Sequence, residues 1–127
     1  MSSIRTITVA LILAICTQAQ AVERMELSET IASCTGRLSA EMEFAWLMNA
    51  PDADELEIRR AHLIDILESL GPGDDPRRRM ALRIETKMAH ARLLSTAYFG
   101  KDETRAIWAK KQAMRQISSC ESLLLEG

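Results

Sequence analysis

Hydrophobic positions divide the chain into one solid apolar run followed by four stripes of helical period. From Thr6 to Cys16 the run is almost unbroken. After it, apolar residues recur three and four apart, as on one face of an α-helix. The first stripe is Leu27, Ile31, Cys34, Leu38, Met42, Ala45 and Met48. The second is Leu56, Leu63, Leu67 and Leu70, widened by Ile64. Met80, Ile84, Met88, Ala91 and Tyr98 make the third. Ile107, Met114, Ile117 and Leu124 make the fourth, with Ala113 and Cys120 on its flank.

Turn chemistry falls between the stripes. Asn49-Ala50-Pro51-Asp52 closes the first helix, and Asp52 and Glu55 have the spacing of a capping box. In Gly71-Pro72-Gly73-Asp74-Asp75-Pro76, Gly71 suits a helix end, Asp75 an N-cap and Pro76 a first helical position. Gly100 and Asp102 repeat that logic before the fourth helix. Four amphipathic helices joined by short turns predict an all-α, antiparallel up-down-up-down four-helix bundle.

The opening run belongs to a different kind of element. Arg5 gives it a positive start, and Ala19-Gln20-Ala21 has the small-x-small form of a signal-peptidase site. This predicts a secretory signal peptide over 1–21, removed on export, and a single helical domain over 22–127. Leu13-Ala14-Ile15-Cys16 resembles a lipoprotein box, but Ile15 stands where a small residue is required, so a lipid anchor is not expected. The run is also shorter than the ~20 residues of a spanning helix. The expectation is a soluble, exported protein of a bacterial periplasm with no stable membrane insertion after cleavage.

Export changes the reading of the cysteines. Cys34 and Cys120 are the two that remain after the leader, and in an oxidising compartment they predict one disulfide. In an up-down-up-down bundle, a residue early in helix one and one late in helix four stand at the same height. Gly36, beside Cys34, is expected to ease the approach of those two helices. With no C-x-x-C pair, the bond reads as structural rather than redox-active. Losing the leader removes a single charge, Arg5, so the formal net charge of −2 becomes −3. That mild acidity offers no global attraction for nucleic acid.

Reactive chemistry has little foothold. There is no C-x-x-C-H, no H-E-x-x-H, no Glu-x-x-His and no Gly-x-Ser-x-Gly. Glu57 with His62, and Glu85 with His90, are five residues apart and cannot close on one ion from one helix face. His62 and His90 are expected to differ in height by about 9 Å and to be partly exposed. The methionines read as core filler, and no cofactor, metal site or catalytic residue is assigned. A bundle holding copper or haem through Met and His is the alternative.

Two features invite a functional reading. All five aromatics, Phe44, Trp46, Tyr98, Phe99 and Trp108, lie beside the first or third turn, which share one end of such a bundle. Trp108 falls well off its apolar stripe, and Trp46 at the edge of its own. Trp46, Tyr98, Phe99 and Trp108 therefore form a candidate binding surface, with sealing of the core end as the plain alternative. Arg77, Arg78, Arg79 and Arg83 form a candidate patch for an anion or acidic partner, unless Asp74, Asp75, Asp65 and Glu68 neutralise them. The expected function is a non-enzymatic binding module for a protein or small apolar ligand, acting as monomer or homodimer. A periplasmic stress chaperone is a third possibility.

Overall fold

Turn residues decide where each helix stops. In this computed structural model the elements are α1 (Ser2–Leu47), α2 (Ala53–Ser69), α3 (Pro76–Phe99) and α4 (Glu103–Leu125). The backbone is described for residues 2–73 and 75–125, and side chains for 23–73 and 75–125. The expected leader lies outside the described side chains.

α1 ends at Asn49, which takes a left-handed φ of 50°, while the Ala50 N–H donates to Ala45 O at 2.8 Å. Asn tolerates that conformation better than most residues. The capping box expected of Asp52 and Glu55 does not form. Asp52 has ψ near 4° rather than extended, and its side chain accepts no backbone N–H. Glu55 instead pairs with Arg59 one turn along.

The second turn passes through Gly71 (φ 79°) and Gly73 (φ 67°), where a β-carbon would be strained. Asp75 then caps α3, accepting the Arg78 N–H at 3.0 Å, with Pro76 as the first helical residue. Asp102 caps α4 in the same way, through the Arg105 N–H at 2.9 Å.

Cross-helix contacts give the directions. Glu29 meets Arg78, Ser33 meets Thr86, and Phe44 meets Tyr98, so α1 and α3 run parallel. His90 meets Gln116 and Tyr98 lies under Lys110, so α4 runs against α3. Arg60 bonds Ser39 and α2 leaves the turn after α1, antiparallel to it. The result is a four-helix bundle with Cys34–Cys120 linking α1 and α4 across a Cα–Cα distance of 5.4 Å.

α1 is the hub of this bundle. It packs along both α2 and α3, α3 carries α4, and the α1–α4 contact is small and includes the disulfide. Among the described residues, α2 and α3 do not pack on each other. The main core joins Ile31, Cys34, Leu38, Met42 and Ala45 to Leu56, Leu63, Leu67 and Cys120. Leu38 and Leu63 are wholly buried, each worth about 2 kcal/mol of transfer free energy. A smaller cluster joins Ala40, Leu94 and Ala113.

The stripes read from α1 and α2 face inward apart from Leu27 and Met48 at the two ends of the first, but those of α3 and α4 largely do not. Met80, Ile84, Met88 and Tyr98 on α3 are about half exposed, as are Ile107 and Met114 on α4. α3 instead buries His90 and Leu94, and α4 buries Ala109, Ala113 and Cys120. The cause is the α1–α3 seam. A β-carbon at Gly36 would overlap Arg83 O and Thr86 Oγ1, so Gly36 serves a close approach to α3 rather than to α4. Thr86 donates to Ser33 O at 3.0 Å across that seam, and polar pairs lie along it above and below. With α3 held by this face, its apolar stripe is turned aside.

Candidate functional site

The first and third turns do share one end. Phe44 is half-buried there, with its ring centroid 4.8 Å from Tyr98 and 6.1 Å from Phe99. Lys110 Nζ lies 5.8 Å from the Tyr98 centroid, a cation–π geometry. Tyr98 (51%), Phe99 (59%), Trp46 (51%) and Trp108 (55%) are all about half exposed. Exposed Leu47, Met48 and Ile107 surround them in the sequence at the same end. Phe44, Tyr98 and Phe99 form a cluster, which neither tryptophan joins by ring contact. A neighbouring cleft is polar, lined by Ser95, Thr96, Lys101, Asp102 and Arg105 beside Phe99.

The four arginines at the start of α3 divide. Arg77 and Arg78 point to solvent, and Arg78 pairs with Glu29, which raises its pKa by hydrogen bond and charge. Arg79 and Arg83 are half-buried in a cleft between α2 and α3. Arg60, from α2, donates from Nε to Ser39 Oγ at 2.8 Å. Its charge, after the larger effect of burial, pushes Arg83 below its ordinary pKa. Periodicity could not have nominated Arg60, because its relation to Arg83 is made only by the fold.

His90 departs from expectation. It is completely buried, not partly exposed, between Glu41 Oε1 on Nε2 (2.7 Å) and Gln116 Oε1 on Nδ1 (3.1 Å). Both ring nitrogens are thus occupied by protein groups. His62 is exposed on α2, in a cleft with Ile58, Arg59 and Leu124.

Of the methionines expected in the core, Met42 is buried, while Met25, Met48, Met80, Met88 and Met114 are about half exposed. Among the described residues, no three His, Cys, Asp or Glu side chains gather as metal ligands. Nor, among those residues, is any helix long and apolar enough to cross a membrane. Against this geometry, comparison with protein-family models, curated proteins and solved structures finds no match.

Proposed function

We propose that this chain is a non-enzymatic interaction module that engages a protein partner through its aromatic end. The observation that carries this reading is the exposure of Trp46, Tyr98, Phe99 and Trp108, each about half accessible, at one end of the bundle. Large rings presented to water at one place are the residues that anchor protein interfaces. The polar lining of the adjacent cleft favours an apolar contact made on the outer surface over a small apolar ligand held inside. The charged leader, its small-x-small end and the disulfide support export to an oxidising compartment, most simply a bacterial periplasm.

The test compares the wild-type chain with Trp108→Ala and Tyr98→Ala, each immobilised and exposed to the soluble envelope fraction of the host. A specific partner should bind the wild type and bind either variant about thirtyfold more weakly, as for an interface anchor. Folding stability should change by less than about 0.5 kcal/mol in Trp108→Ala, as for an exposed position, and fall by about 0.5–1.5 kcal/mol in Tyr98→Ala, which loses the Phe44 ring contact. Equal retention by wild type and variants would remove the aromatic end as the site.

A second reading, a chaperone that shields unfolded chains, is favoured by the exposed Met80, Ile84 and Met88 stripe on α3. It requires that the chain slow aggregation of a reduced client, and that Ile84→Gln with Met88→Gln abolish this.

A further inference from the structure

α2 and α3 diverge from their shared turn, leaving a cleft of ≈ 320 Å³ whose lining includes Leu67, Glu68, Pro72, Arg79, Met80 and Arg83. Among the described residues its lining carries two arginines and one carboxylate. Arg79 donates from Nη2 to Pro72 O, while its Nη1 is buried with no partner. Among the described residues Arg83 has no acceptor or ion pair, and Arg60 uses only Nε, on Ser39. Among the described residues Glu68 is the carboxylate on the rim, and it makes no ion pair with these guanidiniums. Arg59 and Arg78, on outer faces, do have carboxylate partners. An exposed cation without a partner is solvated by water. A half-buried one is solvated less well, and like charges worsen its position.

We propose that the α2–α3 cleft binds a phosphate-type anion, held by Arg79 and Arg83. A tetrahedral phosphoryl group offers oxygens in several directions, which suits two planar guanidinium forks set one turn apart on α3 better than a single carboxylate does. The anion would give Arg79 Nη1 its missing acceptor and place negative charge against Arg83. Met80 lines the same cleft, and Ile84 and Met88 continue the exposed apolar stripe along α3. The phosphoryl group can therefore belong to free phosphate or to a lipid headgroup whose chain lies on that stripe. The site is at the end of the bundle opposite the aromatic rings and does not depend on them.

The experiment is calorimetric titration of the oxidised full chain with inorganic phosphate, against chloride at matched ionic strength. Saturable binding is expected, weakened about tenfold for each guanidinium removed in Arg79→Gln and Arg83→Gln. It should be unaffected by Arg92→Gln, an exposed cation on the same helix. Arg83→Gln should also leave the thermal midpoint in phosphate-free buffer unchanged or raised, because it removes a half-buried charge that has no partner among the described residues, so loss of binding would not reflect unfolding. Arg79→Lys with Arg83→Lys should recover only part of the affinity. Water-soluble dihexanoyl phosphatidic acid distinguishes the sources. Tighter binding than phosphate, lost on Met80→Gln, identifies a lipid headgroup, and equal binding identifies the free anion. No heat beyond that of chloride with either probe, or binding unchanged in the double glutamine variant, would overturn the proposal.

Discussion

Gly36 shows how much of the bundle depends on one missing β-carbon. Its backbone lies against Arg83 O and Thr86 Oγ1, and Ala40, one turn on, packs with Leu94 of the same helix α3. Gly36→Ala would force α1 and α3 apart where Thr86 donates to Ser33 O. A loss of about 1–3 kcal/mol is expected, the range for overpacking a tight contact, read by chemical denaturation. Unchanged stability would mean the two backbones do not approach there. In the sequence, Gly36 stands out as an anomaly inside a helix, but its partner is not legible. Counting residues from a turn gives height along a bundle and says nothing of which neighbour lies alongside. The same limit hid His90, whose burial is set by Glu41 and Gln116, residues 49 and 26 positions away.

Helix α3 is where periodicity and packing part. Its best apolar stripe, Met80, Ile84 and Met88, is half exposed, while the seam to α1 uses Thr86, His90 and Leu94. A hydrophobic pattern assigns the apolar face inward because burial of carbon is the larger average term. Here polar groups that find partners across the seam sit on the inward face, and small residues on α1 allow the approach. Ile84→Gln should therefore alter stability by less than about 0.5 kcal/mol, whereas Leu94→Ala should cost about 2–4 kcal/mol. The reverse order in thermal or urea unfolding would show α3 turned the other way. The faces of α1 and α2 were largely legible, because apolar residues dominate their buried sides, and the buried Thr35 and Ser39 of α1 satisfy themselves on their own helix backbone. The caps at Asp75 and Asp102 were equally plain, since a cap is a local hydrogen bond and needs no tertiary partner. Asp52 failed as a cap for a backbone reason, its ψ, that residue identity does not carry.

The molecule as a whole has two different ends. Aromatic rings gather where α1 and α3 finish, and the Cys34–Cys120 bond and the arginine cleft lie toward the other. Both the alternating direction of the helices and the pairing of the cysteines could be read in advance, because turn positions and residue counts suffice for them. Replacing both cysteines by alanine should lower stability by about 2–5 kcal/mol, in line with the closure of so long a loop, measured by denaturation of oxidised wild type and variant. An unchanged midpoint would make the bond incidental to folding. The position of that bond also decides how the protein carries load. A pull applied to the two ends of the chain passes directly from Cys34 to Cys120, whose sequence separation is 86, so α2, α3 and their turns bear no tension. A protease cut at any of the three turns leaves two pieces that remain covalently one molecule until the bond is reduced.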